Sequence, residues 1–187
     1  MTIRFLFAYA FEALGRWNLR RLAMSIAEML LPEFDAEGAN TRKMLERVPS
    51  DPQKWGWKPH EKSGTLGWLA SHLATLPEFT ITTIQTPKLE IEGWKGTSPQ
   101  KHSELVPTFD KLNGEARTAL AGVTDAQMKE IWTLTWKGNV IFSMPRYEVL
   151  RTSCFNHVIH HRAQLTTYFR LLGVSVPGLY GPSADEQ

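Results

Sequence analysis

The sequence predicts an all-α fold, a four-helix bundle with long crossover connections. Four stretches carry apolar residues at helical three- and four-residue spacing, and proline or glycine lies near most of their ends. The connections after the second and third stretches are longer than the loops that usually join neighbouring helices, which favours crossovers. With 187 residues and 42% hydrophobic side chains, the chain can form one domain with a sizeable core.

The first two helices are predicted from their apolar stripes and their starts. The first covers roughly residues 32–48, with an alternative start further back, near Ser25. The second covers about residues 65–84, and either Ser63 or Thr65 can accept hydrogen bonds from its free N-terminal amides.

The last two helices are predicted with proline near their starts. The third covers about residues 103–121, and Pro107 should limit its first turn or kink it. The fourth begins near Pro145, a favourable first helical residue, and ends before Gly173, a favourable C-terminal cap.

The two long connections span residues 86–98 and 124–144. Within the second, Ile131–Trp136 is followed by the turn sequence Lys-Gly-Asn and by the apolar residues 140–142. This pattern predicts a short β-hairpin over one end of the bundle.

Two histidines, His157 and His161, stand four residues apart in the fourth predicted helix. Side chains at this spacing project from one helix face, with Cβ atoms about 5–6 Å apart, so two imidazoles can converge on one metal ion. Their neighbours on that face are mainly apolar, which predicts that both rings point inward. Alternatively, both are ordinary buried histidines, each of which then needs a hydrogen-bond partner.

The best candidate for a third ligand is His72, which lies on the apolar face of the second predicted helix. Three neutral imidazoles leave coordination positions open for water or substrate, as in catalytic sites. By spacing alone His60, in a loop, and His102, near a helix start, compete with it. His160 projects to another side of its helix, and a structural role is favoured for it.

Six segments of the chain resemble the DinB/YfiT-like superfamily of metal-binding four-helix bundles. The resemblance runs from about Leu30 to Glu186. The segments are Leu31-Pro-Glu-Phe-Asp35, Thr41-Arg-Lys-Met-Leu-Glu46, Trp57-Lys-Pro-His-Glu-Lys-Ser63, the helix that contains His72, the stretch from Asn156 to Leu165, and Val176-Pro-Gly-Leu-Tyr-Gly-Pro-Ser183.

This resemblance implies a divalent ion held by three histidines, one from the second helix and two from the fourth. The matching positions are His72, His157 and His161. Similar proteins include thiol-dependent S-transferases, isomerases and proteins described as metal-dependent hydrolases. One departure is Ala163, where the family motif usually has glycine. Alanine at this position puts close helix packing there in question, but it leaves the three ligands unaffected.

Composition and charge limit the functional classes. The net charge of +2, from 21 basic and 19 acidic side chains, gives no electrostatic footprint for nucleic acid. The single cysteine, Cys154, excludes an internal disulfide, suits the cytoplasm and is predicted to be a small buried core residue.

We divide the chain into an N-terminal extension, residues 1–23, and a domain over residues 24–187. The apolar part of the extension is too short to span a membrane. Its basic cluster follows the apolar part, whereas the basic residues of a signal peptide come first. It is either an extra helix on the bundle or sequence upstream of a true start at Met24, and we favour the second. No membrane partner is expected.

Three functions remain open at this stage. The leading one is a metal-dependent enzyme that acts on a small-molecule substrate by thiol S-transfer or hydrolysis. Its cofactor would be a divalent ion, with Zn and Ni as the leading candidates. A low-molecular-weight thiol is the candidate second cofactor. The others are a non-catalytic metal-binding stress protein and a structural, dimerising bundle. A homodimer is expected.

Overall fold

A computed structural model of the chain describes residues 24–186. These residues form seven α-helices, three β-strands and one π-helical segment. In chain order they are α1 (Ile26–Glu46), α2 (Pro52–Trp55), α3 (Leu66–Gln85), β1 (Lys88–Glu90), α4 (His102–Gly122), α5 (Asp125–Lys129), β2 (Ile131–Trp136), β3 (Asn139–Pro145), α6 (Arg146–Val149), the π-helical segment (Leu150–Phe155) and α7 (Asn156–Leu171).

The first long helix, α1, starts at the earlier of its two predicted positions. Ser25 is its N-cap: the Ser25 hydroxyl accepts a hydrogen bond from the Glu28 amide, and the Glu28 carboxylate accepts one from the Ser25 amide. This reciprocal pair satisfies two amides that the helix cannot pair internally. The start near residue 32 is therefore wrong, and Pro32 lies inside the helix.

The other long helices follow the prediction closely, with one exception. Thr65 caps α3, and its hydroxyl accepts a hydrogen bond from the Trp68 amide at 3.1 Å. Pro107 lies inside α4 without ending it. The predicted fourth helix is instead interrupted: the π-helical segment separates α6 from α7, and the Asn156 amide donates to the carbonyl of Arg151, five residues back.

The strands form one small sheet with the order β1-β2-β3. The predicted hairpin is confirmed as the antiparallel pair of β2 and β3. Its two-residue turn has positive φ at Lys137 (51°) and Gly138 (73°), which suits the right-handed twist of a hairpin. β1 pairs in parallel with β2, Leu89 opposite Leu134. The all-α prediction is thus corrected to a helix-rich fold with a small sheet.

The sheet packs against α3 through a buried tryptophan. Trp132 is fully buried, and its ring lies 5.6 Å from that of Phe79 and 6.1 Å from that of Phe142. The buried Arg146 reinforces this attachment, because its guanidinium donates to the backbone carbonyls of Thr83 (2.7 Å) and Thr86 (3.2 Å) at the end of α3. The sheet is thereby held beside the α3 face that carries His72.

Residues 1–23, and with them the predicted extension, lie outside the described residues. None of the helices within residues 24–186 is both long and apolar enough to cross a membrane.

We expect a chain that begins at Met24 to fold with a melting temperature within about 2 °C of the full chain. The start of α1 is already satisfied by its own capping pair and by the Ile26 amide, which donates to Asp125 at 2.9 Å. Circular dichroism melts of both chains test this. A loss of several degrees would mean that residues 1–23 contribute to stability.

Candidate metal centre

Three histidine side chains converge between α3 and α7. Their ligand-capable nitrogens all lie within 4.8 Å of one another. His72 comes from α3, and its Nε2 is 3.4 Å from the Nε2 of His157. His157 and His161 come from adjacent turns of α7, and their Nε2 atoms are 2.8 Å apart. These are the three histidines singled out in the sequence.

The Nδ1 atoms of the two α7 histidines have hydrogen-bond partners outside the cluster. Nδ1 of His157 lies 3.3 Å from the carbonyl oxygen of Ser153, and Nδ1 of His161 lies 2.7 Å from Oε1 of Gln164. Acceptors at Nδ1 favour the tautomer that carries its proton there and leaves the Nε2 lone pair free. Both free lone pairs then face the centre of the cluster.

The third imidazole is held by stacking instead. The Trp68 ring lies 5.2 Å from the His72 ring, with only 13° between their planes. A Cβ on Gly64 would come within 2.4 Å of the Trp68 ring, so the indole occupies space that only glycine leaves free. Gly64, just before α3, therefore allows Trp68 to cover one face of His72.

The environment keeps these imidazoles neutral. Burial, followed by the nearby His161 and His157, lowers the pKa of His72 to about 4. Burial also lowers the pKa of His157 and that of His161 below the ordinary histidine value. Neutral imidazole is the form that binds metal ions, so protons compete only weakly for these nitrogens near neutral pH.

The pKa of His72 predicts an acid sensitivity of the metal-free protein. An unfolded His72 titrates near 6.5, so the unfolded state binds more protons than the folded state below that pH, and stability falls from pH 6.5 down to about 4. Urea unfolding of the metal-free protein across this range should show a smaller loss in His72→Gln than in wild type. The exposed His60→Gln should behave as wild type, and equal losses in all three proteins would contradict the assignment.

A cavity of about 510 Å³ opens beside the histidines. One wall comes from the π-helical segment and α7, and the opposite wall comes from α3, the sheet and the loop after β1. Its lining residues are His72, Thr75, Leu76, Phe79, Ile91, Trp94, Leu134, Phe142, Thr152, Ser153, Asn156, His157 and His160.

A second hollow, of about 210 Å³, also borders His72. It shares His72, Thr75 and Trp94 with the larger cavity, but its other walls are mainly polar. They are Trp68, Ser71, Glu78, Gly96, Thr97 and Ser98. The histidine cluster therefore lies where an apolar cavity and a polar hollow meet.

The other histidines considered from sequence lie outside the three-residue group. His60 is exposed in the loop before α3, where its Nδ1 accepts a hydrogen bond from the Lys62 amide. His102 is the first residue of α4. His160 is exposed, lines the large cavity and is not a member of the three-histidine group.

Cys154 is a core residue, as predicted. It is buried, 1% exposed, and burial raises the pKa of its thiol to about 12. A thiol of this kind is protonated and poorly nucleophilic at neutral pH.

Sequence patterns did not predict two features around the cluster. The π-helical segment directly precedes His157 and supplies the Ser153 carbonyl that meets its ring. Such segments occur frequently at functional sites. The other feature is Trp94 in the cavity wall, because the sequence shows tryptophans but not which of them line a cavity.

The sequence model of the DinB family matches residues 24–187. The chain belongs to the DinB family. Among curated proteins, this DinB-family chain is similar to YrdA of Bacillus subtilis (strain 168), with 27% identity over 158 residues that cover 82% of this chain and 86% of that protein.

Solved structures of DinB-like proteins have the same fold. One from Bacillus cereus ATCC 10987 has a TM-score of 0.61 and 27% identity, covering 82% of this chain and 97% of that chain. Another, YjoA from Bacillus subtilis, has a TM-score of 0.65 and 18% identity, covering 83% and 99%. The second likeness concerns the fold alone.

The departure at Ala163 has a structural explanation. Ala163 is exposed on α7, so no neighbouring backbone approaches it closely enough to require glycine. Alanine favours a helix over glycine by about 1 kcal/mol, and here it does so without a packing conflict.

Proposed function

We propose that this DinB-family protein is a metal-dependent enzyme that acts on a small molecule, with a divalent ion, Zn or Ni first, held by His72, His157 and His161. The observation that carries the proposal is the convergence of three ligand-capable histidine nitrogens within 4.8 Å at the edge of a cavity of about 510 Å³.

The donor set fits such an ion. Imidazole nitrogen is a good ligand for Zn and Ni, and three protein ligands are the usual number in catalytic zinc sites. A divalent ion here would lower the pKa of a coordinated water or thiol and so supply a nucleophile near neutral pH. The acceptors at Nδ1 of His157 and His161 would keep both rings oriented for this task.

The geometry disfavours a purely structural role for the cluster. The three rings are half-buried rather than enclosed in the core, and two of them line a cavity. Their nearest polar neighbours inside the cluster are one another. With the Nδ1 protons of His157 and His161 directed outward, their Nε2 lone pairs face each other at 2.8 Å with no proton between them, which is unfavourable in a core motif.

Thiol transfer is favoured over hydrolysis because the cluster borders two hollows of different character. Transfer needs room for two organic reactants, whereas hydrolysis needs one reactant and water. In the proposed reaction, the thiol loses its proton, a sulfur–carbon bond forms, and the leaving group departs with its bonding electrons. The sulfur comes from an added thiol, since Cys154 is buried and protonated.

The test is a turnover assay of the full chain loaded with Zn or Ni. 1-Chloro-2,4-dinitrobenzene would serve as the electrophile with a panel of thiols that includes bacterial ones, and 4-nitrophenyl acetate in ¹⁸O-labelled water would report hydrolysis. We expect thiol conjugation that requires the metal, is lost in His157→Ala and persists in Cys154→Ser.

Other outcomes decide against this reaction. Equal turnover without thiol, with ¹⁸O in the product, would replace transfer by hydrolysis. Metal binding with no turnover across the panel would favour the non-catalytic stress protein.

A further inference from the structure

We infer that the large cavity binds the neutral, apolar part of the substrate, while the polar end of the same molecule faces the histidines. This inference rests on the proposed function for the position of the polar end. The apolar part can be tested without any metal.

The two groups of elements that line the cavity differ in chemistry. Beside the histidines, the π-helical segment and α7 contribute hydroxyl, amide and imidazole groups, from Thr152, Ser153, Asn156 and His160. Apart from His72 and Thr75, the residues from α3, the sheet and the loop after β1 are aliphatic and aromatic: Leu76, Phe79, Ile91, Trp94, Leu134 and Phe142. A ligand that contacts both groups of residues would therefore have a polar part and an apolar part.

The apolar end also selects against charge. Within residues 24–186, no Asp, Glu, Lys or Arg side chain lines this cavity. A charged group on the ligand's apolar end would lose water and gain no partner, which is strongly unfavourable. The substrate's distal part should therefore be an uncharged alkyl or aryl group.

The size of the cavity sets an upper limit on that group. A volume of about 510 Å³ lies within the range of roughly 300–1,000 Å³ that is usual for small-molecule sites. It accommodates one small-molecule ligand with a single- or double-ring body.

Ile91 is the wall residue best suited to substitution. It follows β1, its side chain is 41% exposed, and its amide pairs with the Thr135 carbonyl independently of the side chain. Ile141 is the matched control, because it is 53% exposed on β3 and does not line the cavity. Its neighbour Phe142 lines the cavity, whereas Ile141 is skipped in the pairing of β2 with β3, which is irregular at this point.

The first experiment uses the metal-free full chain and the neutral fluorescent probe N-phenyl-1-naphthylamine. We expect saturable binding of one probe per chain. Ile91→Asp should weaken it about tenfold or more, because a carboxylate replaces apolar wall, and Ile91→Trp should weaken it by filling space. Ile141→Asp should bind as wild type, and thermal melts will show that each variant is folded.

The second experiment uses ligands that carry a metal-binding group at one end and an apolar chain at the other. In the Zn-loaded protein, the affinity for straight-chain hydroxamates should rise about two- to fourfold per methylene from acetohydroxamate to hexanohydroxamate. A terminal carboxylate on the longer chain should remove that gain. Ile91→Asp should reduce the chain-length dependence and leave acetohydroxamate unchanged.

The two experiments separate the inference from the proposed function. If acetohydroxamate and zinc do not bind but the naphthylamine probe binds and responds to Ile91→Asp, the metal proposal fails and the apolar site stands. Equal probe affinity in wild type and both Ile91 variants, or hydroxamate affinity independent of chain length, would overturn the apolar site.

Discussion

Replacing any one of His72, His157 and His161 by alanine is expected to weaken divalent metal binding at least 100-fold. Changing only the hydrogen-bond partner of a metal-ligating histidine costs about 10–100-fold in affinity, so removing a ligand should cost more. The three nitrogens lie within 4.8 Å of one another, close enough for one shared ion. Wild type should bind one Zn or Ni ion per chain by elemental analysis and calorimetry.

Two matched controls limit this prediction to the cluster. His60→Ala removes an exposed loop histidine, and His160→Ala removes the histidine adjacent to His161 whose ring lies outside the group. Both should retain one ion per chain. Full retention in all three cluster variants would end the metal assignment, and equal losses in the controls would mean that binding does not depend on this geometry.

Metal occupancy should also fall with acid, because protons and metal compete for the same nitrogens. Burial lowers the pKa of all three histidines, for His72 to about 4. The loss should therefore lie below pH 6.5, the ordinary value for histidine, rather than around it. Titration of zinc occupancy against pH measures this midpoint.

Sequence patterns predicted the features that depend on local chemistry. The cap at Thr65, one of two candidates, the hairpin from Ile131 and the end of the last helix before Gly173 each follow from residues a few positions apart. The convergence of His157 and His161 likewise follows from their four-residue spacing on α7. The prediction that His72 joins these two histidines required one further assumption, that the apolar faces of two helices pack together.

The features that sequence reasoning missed have no distinguishing local pattern. β1 has only three residues, too few for a visible alternation, and it exists because Leu89 pairs with Leu134. The π-helical segment has no composition that distinguishes it from an α-helix. Its helical hydrogen bonds are merely shifted by one residue, so its sequence favours the uninterrupted helix that was predicted.

A buried arginine next to the cluster is the clearest example of this limit. Arg162 is 1% exposed, although arginine is almost never fully buried unless it is paired. Its guanidinium bonds the Glu37 carboxylate and the Tyr180 hydroxyl, and it also donates to the Glu37 carbonyl (3.0 Å) and to Oγ1 of Thr41 (3.1 Å). Glu37 is 125 positions away in the chain, so no local pattern reveals the pair. Arg162 thus joins α7, directly after His161, to α1 and to the C-terminal segment.

Arg162→Met should therefore destabilise the protein by about 3 kcal/mol or more. Breaking a buried ion pair leaves an uncompensated charge on Glu37, and such losses are typically about 3–5 kcal/mol. Urea unfolding should show a lower midpoint with little change in slope. The double variant Arg162→Met, Glu37→Gln should recover part of the loss, because it removes the stranded carboxylate.

The surface pair of Arg117 and Asp35 provides the comparison. Arg117 also makes two hydrogen bonds to a carboxylate on α1, at 2.7 and 2.9 Å, but about half of its side chain is exposed. Exposed pairs typically contribute about 0–1 kcal/mol, so Arg117→Met should cost less than about 1 kcal/mol. Equal losses for the two arginine variants would show that burial does not set the strength of the Arg162 network. A large loss only for Arg162 would show that the helix carrying His157 and His161 is held in place by a partner on α1.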